Sequence, residues 1–255
     1  MSWLALWLLA IAVMDLVRPV VEGRRELAPA IGAGVLVVLT ALTGMIGVAD
    51  ILVLAASLAP MAGWWWFSER AQGSRGRDHL LALGSLGGGG LLLLALSGWA
   101  GLPGGALGTW LGWADLPLLG GPMSPERMRF VLLVAALLLA NLATGNIVVR
   151  LVLVAIGALR PGARVGTQPA DRLKGGRLLG PMERLLILGL GLAGQLTAAG
   201  LVIGAKGLIR FPELQSRAKD GTAIDGLGID EMTEYFLIGS FASWLLALGS
   251  LALLH

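Results

Sequence analysis

The chain has no cysteine. Disulfides, thiolate metal sites, iron–sulfur clusters and cysteine nucleophiles are therefore excluded. Histidine is nearly as scarce: there are 2, His79 in a charged loop and His255 at the end. Neither falls in an apolar run, so no bis-histidine haem or histidine zinc site is expected within one, and no metal or other cofactor is implied. Charge is sparse too. Charged residues make up 14% of the 255 positions, where a soluble domain carries about 25%. The basic residues are not interleaved with aromatics on a polar face, which argues against a nucleic-acid partner.

What the chain has in quantity is apolar sequence. Hydrophobic residues make up 56%, and the mean hydropathy is +0.81. Runs of roughly 20 apolar residues recur, the length that spans a hydrocarbon core about 30 Å thick. A single soluble core cannot hide so many helices that are apolar all round. The expectation is an all-α, polytopic transmembrane helical bundle of about seven spans, one integral membrane domain over residues 1–255.

The first span runs from Ser2 to Val17. Ala10-Ile11-Ala12 faintly resembles a signal-peptidase site, but no basic segment precedes it, which favours a retained span. Ile31 to Phe67 is too long for one helix, and a turn near Gly47 to Asp50, capped by Asp50, splits it into the second and third. The fourth, Leu80 to Trp99, contains the run Gly87 to Gly90. The fifth is Phe130 to Leu159, the sixth Leu185 to Ile209 and the seventh Met232 to Leu254.

Loop charge orients this threading. Arg18, Arg24 and Arg25 follow the first span, and Arg70, Arg75 and Arg77 follow the third. Arg160, Arg164, Arg172, Lys174, Arg177 and Arg184 follow the fifth. These loops share one side and hold 12 of the 19 basic residues. The positive-inside rule makes that side cytoplasmic, with the N-terminus outside and the C-terminus in the cytoplasm. Residues 160–184 form a basic cytoplasmic loop suited to anionic lipid headgroups. Residues 101–128, rich in Gly, Pro and Trp, read as a re-entrant or interfacial outer loop. Trp3, Trp7, Trp99, Trp110 and Trp113 fall at the outer boundary and Trp64 to Trp66 at the inner one, where indoles gather. Trp244 lies mid-span as a packing residue. No internal repeat is evident.

Gly189-Leu190-Gly191-Leu192-Ala193-Gly194 matches the dinucleotide fingerprint, but no strand precedes it, so it reads as close helix packing. Gly200 and Gly204, and Gly84 and Gly88, match the small-residue packing motif of membrane helices. Ala205-Lys206-Gly207 lacks the ending of a phosphate-binding loop.

The polar residues within apolar runs are the candidates for a site. Gly180-Pro181-Met182-Glu183-Arg184 reads as a helix start. Arg184, Gln195 and Lys206 follow at intervals of 11 residues, which return to one helix face with about 20° of drift. They form a polar stripe that Arg210 extends. Polar groups at membrane depth face protein or water, because lipid cannot hydrogen-bond them. Glu234 lies one turn into the seventh span, at the depth of Lys206. An antiparallel neighbour arrangement would pair Lys206 with Glu234, with Tyr235 as a nearby donor; the alternative is that Lys206 and Arg210 snorkel to the headgroups. In the fifth span Asn146 and Arg150 share a face, and Asn141 points elsewhere. Arg150 needs a partner, for which Asp15 and Glu183 are candidates. Asn residues also serve as packing glue.

The run Gly176 to Ile187, then Gly194-Gln195, Ala205-Lys206, Arg210-Phe211 and Glu234-Tyr235-Phe236-Leu237-Ile238-Gly239-Ser240, resembles the C-terminal half of an uncharacterised family of bacterial integral membrane proteins, of the domain-of-unknown-function type. The resemblance covers residues 176 to 250. It implies a bacterial inner-membrane location, no established activity, and one recurring pattern made of Glu183, Arg184, Gln195, Lys206, Arg210, Glu234 and Tyr235.

Three functions fit unequally. A membrane-embedded subunit or scaffold, with a protein partner or as a homo-oligomer, explains the missing catalytic histidines and cysteines. A small-solute or ion transporter or channel would use the polar stripe of the sixth span. A lipid-acting enzyme lacks a recognisable metal set or nucleophile–base pair, so an enzyme is the less favoured reading.

Overall fold

A computed structural model of the chain describes residues 1–21, 23–71, 76–99, 101–114, 123–159, 176–205, 208 and 229–254. All regular structure among them is helical. The helices are α1 (Ser2–Val17), α2 (Leu27–Leu42), α3 (Val48–Arg70), α4 (Asp78–Ala95, continued by a 3-10 turn, Leu96–Trp99), α5 (Gly105–Ala114), α6 (Pro125–Leu142), α7 (Thr144–Ala155), α8 (Gly176–Leu192), α9 (Leu196–Ala205) and α10 (Ile229–Ala252). The helices long and apolar enough to cross a membrane are Val48–Arg70, Asp78–Trp99 and Tyr235–Ala252. The pair Pro125–Leu142 and Thr144–Ala155, interrupted at Ala143, would make a fourth. Seven were expected from the sequence. The shortfall comes from helices of 16 residues, α1 and α2, which reach only about 24 Å, and from breaks inside the fifth and sixth runs.

The chain forms two compact units, residues 1–67 with 81–144 and residues 68–80 with 145–253. In the first unit α1 is the centre. Its sequence is apolar on every side, and nearly every residue from Ser2 to Asp15 is buried. A helix apolar all round belongs in an interior, and α2 and α6 pack directly on α1. Two glycines permit the close approaches. A Cβ on Gly32 would strike Met61 and lie 2.9 Å from Met14 Cβ, and one on Gly89 would lie 2.7 Å from both Pro60 and the Trp7 ring. Gly84, Gly88, Gly200 and Gly204, the glycines of the packing motifs, have nothing within 4 Å.

Three indoles tie α1 to α3. Trp3 Nε1 donates to Asp50 Oδ1 at 3.1 Å, Trp7 Nε1 to the Ser57 carbonyl at 3.0 Å, and Trp64 Nε1 to Asp15 at 3.2 and 3.3 Å. The numbers rise together on both helices, so α1 and α3 run in the same direction. Trp3, Trp7 and Trp64 are therefore fully buried and not part of an interfacial belt. A buried N–H needs an acceptor, and a neighbouring helix supplies it. Trp99, Trp110 and Trp113 are exposed, by 67%, 54% and 81%.

The segment after α4 is more regular than the expected loop: it carries α5, which begins at Gly105. Gly105 has φ 56, and a Cβ there would lie 2.6 Å from the Leu42 carbonyl, so only glycine fits. Gly104 N–H donates to the Thr43 carbonyl at 2.9 Å. α6 starts at Ser124, whose Oγ accepts from Arg127 N–H at 3.2 Å, with Pro125 in the first turn, a favoured N-terminus.

The second unit holds α7, α8, α9 and α10. α8 begins at Gly176, a turn before the expected start, and Pro181 lies inside it. The sixth run is not one rod. Gly194 has φ 73, its N–H donates to the Gly191 carbonyl at 3.0 Å, and Gln195 N–H donates to the Leu190 carbonyl at 2.8 Å. These two bonds around a left-handed glycine form a Schellman stop. Ile187, Ala199 and Ala247 form one buried cluster with Leu190, Ile203 and Trp244 packed on it. A continuous helix would set Ile187 and Ala199 about 18 Å apart, so the chain turns at Gly194.

Candidate functional site

The break decides the fate of the expected stripe. Arg184 lies on α8, and Gln195 lies in the turn, exposed. The 11-residue repeat defines a face only on a continuous helix, so Arg184 and Gln195 do not share one. Lys206 and Arg210 lie outside the described residues, as does the Glu234 side chain, and the Lys206–Glu234 pair with them. Tyr235 is half-buried on α10.

Arg184 is the centre of the polar arrangement in the second unit. It is 1% exposed, among the largest fully buried side chains. Its Nη1 donates to Ser243 Oγ on α10 at 3.0 Å, and its Nη2 donates to Asn146 Oδ1 on α7 at 2.6 Å. The space for the guanidinium comes from Gly145. A Cβ there would lie 2.9 Å from Arg184 Nε and 3.1 Å from Cζ. Beside it, Trp244 Nε1 donates to Glu183 Oε1 at 2.8 Å. Adjacent residues of α8 thus reach adjacent residues of α10. A delocalised guanidinium with donors in a fixed fork suits this position, where one cation must reach oxygens on two helices.

Asn146 was grouped from the sequence with Arg150 and Asp15; within the second unit, Asn146 and Arg150 differ in their partners. Asn146 accepts from Arg184. Arg150, one turn further along α7, is exposed and makes no ion pair among the described residues. Glu183 does not pair with it. Ser243 and Gly145 had no signal in sequence. Trp244 was correctly read as packing, but its N–H bond to Glu183 was not.

Asp15 anchors its own cluster in the first unit. Thr144 Oγ1 donates to Asp15 Oδ2 at 2.7 Å, Trp64 Nε1 donates to both oxygens, and Arg18 Nη2 stands 3.0 Å from Oδ1. A carboxylate in the last turn of a helix meets the negative end of the dipole; the Thr144 and Trp64 donors and the Arg18 charge offset that. Asp50 does similar work at the other end of α1, about 18 Å away along the helix. It accepts from Trp3 Nε1, from Gly47 N–H at 3.2 Å and from Gly101 N–H at 3.1 Å. Its expected role as cap of the turn is present in the Gly47 bond, and it also holds two further segments. Asn141 Nδ2 donates to the Leu137 carbonyl of its own helix at 2.8 Å.

The described chain is thus an all-helical protein with buried polar clusters and several helices fit to cross a membrane. No protein-family model, curated protein or solved structure matches it.

Proposed function

We propose that this chain is a multi-pass integral membrane protein that serves as a membrane-embedded subunit or scaffold. The observation that carries the reading is its inverted polarity. Only 28%, 17% and 28% of the three spanning windows are buried, and Leu91, Leu201, Leu237 and Phe241 are among the large apolar side chains left outside. Arg184, Asp15, Asp50, Ser57 and Ser243 are inside. Water would enforce the opposite arrangement, whereas lipid tolerates it. The buried polar groups bond to neighbouring helices, which serves assembly. The bacterial inner membrane as setting, with the basic loops on the cytoplasmic side against anionic lipid, belongs to the same proposal. It rests on the resemblance of residues 176–250 and on loop charge.

Mild detergent extraction followed by mass spectrometry of what co-purifies tests it. A stoichiometric partner or a homo-oligomer is the expected result, and a solitary monomer refutes the scaffold.

Transport is the second reading, favoured by the interrupted segments at Ala143 and Gly194. Broken helices at membrane depth line the binding sites of many transporters. If Arg184→Ala leaves the fold intact and abolishes a flux, transport replaces the scaffold.

A further inference from the structure

We infer that α8 and α10 enter the bilayer from the same face, so that the C-terminus lies on the face opposite the start of α8. The inference rests on the reading of the chain as a membrane protein. Three pairings set the relative direction of the two helices. Arg184 bonds to Ser243. Ile187 clusters with Ala247, and a Cβ on Gly191 would strike Leu251. Residue numbers rise together over two turns of each helix: 184, 187 and 191 against 243, 247 and 251. Antiparallel helices would pair rising numbers with falling ones, so α8 and α10 are parallel.

Parallel helices joined in sequence need a return crossing between them. The Schellman stop at Gly194 begins it. The shared cluster of Ile187 and Ala199 shows α9 leaving on a new course beside α8. α9 has 10 residues and covers about 15 Å, half a hydrocarbon core. The single sixth span read from the sequence becomes an outbound α8 and an inbound leg opened by α9. With α8 starting at the cytoplasmic basic loop, the C-terminus moves from the cytoplasm to the outside.

The lack of cysteine makes the test clean, since every label reports one introduced site. Single variants Arg77→Cys, Trp113→Cys and Leu254→Cys are expressed in cells and treated with a membrane-impermeant maleimide before and after permeabilisation. Arg77 and Trp113, both exposed, mark the two faces. Leu254→Cys is expected to label in step with Trp113→Cys and opposite to Arg77→Cys. Labelling in step with Arg77→Cys overturns the inference alone. If both reference sites label equally on intact cells, or alkaline carbonate strips the protein from membranes, the membrane reading falls and the inference with it.

Discussion

Arg184 Nη2 donates to Asn146 Oδ1 over 2.6 Å, from α8 to α7. The bond is short because the donor is a cation, and charge-assisted bonds contract and strengthen. A guanidinium this deep is tolerated only while its donors find acceptors. Asn146→Ala removes one and should cost about 1.5–3 kcal/mol, the range for hydrogen bonds to charged groups. Arg150→Ala, one turn along the same helix and without an ion pair among the described residues, should stay within about 0.5 kcal/mol of the parent. Thermal unfolding of both variants in one detergent compares them directly. Equal stability would show that the 2.6 Å contact carries no weight.

Gly88 and Gly89 are neighbours with opposite surroundings. Gly88 has nothing within 4 Å, while a Cβ on Gly89 would lie 2.7 Å from Pro60 and from the Trp7 ring. Neither obstacle can swing away, being a fixed ring in one case and a fully buried indole in the other. Gly88→Ala should stabilise by about 0.5–1 kcal/mol through helix propensity. Gly89→Ala should destabilise by about 1–3 kcal/mol through overpacking. The paired denaturation midpoints give the two signs, and a stabilising Gly89→Ala would show that α4 does not press on α1.

Asp50 receives one indole and two backbone donors. Asp50→Ala strands all three, and a buried donor left unsatisfied costs about 1–3 kcal/mol. Asp50→Asn keeps one acceptor oxygen and should lose less. Trp3 reports the change, because its indole moves from a carboxylate acceptor to none. A destabilised Asp50→Ala with altered tryptophan emission is the expected outcome, and an unaltered variant would remove Asp50 as a tie between segments.

The ends of helices were easier to read than their contacts. Ser2–Val17 was read from its apolar run, and α1 has those limits. The split between α2 and α3 was visible in the glycine and aspartate near position 50, whose chemistry is local. The burial of α1 was not visible: a helix apolar all round looks the same in sequence whether lipid or protein surrounds it. The Arg184 site was half visible. A cation and a neighbouring carboxylate in an apolar run mark a position that needs partners, but which oxygens answer depends on Gly145 and Ser243, residues with no charge to reveal them. The stripe from Arg184 to Gln195 misled because an 11-residue repeat presumes unbroken helix, and one glycine ends it.

Gly194 tests that break by the sign of a single substitution. Were residues 185–209 one rod, Gly194 would be an interior helical glycine, and Gly194→Ala would stabilise by about 1 kcal/mol. In the Schellman stop it has φ 73, a conformation that costs an L-residue with a Cβ about 1–2 kcal/mol. Gly194→Ala should therefore destabilise by about that amount, and Gly194→Asn by less, since asparagine tolerates the left-handed region. Gly189→Ala is the internal reference: it lies in the body of α8 with nothing within 4 Å and should gain what Gly194→Ala loses. Hydrogen exchange of the Gln195 amide adds a second reading. Its 2.8 Å bond to the Leu190 carbonyl should open first in Gly194→Ala. A stabilised Gly194→Ala with that amide still protected would restore the unbroken helix, and the turn into α9 would be lost.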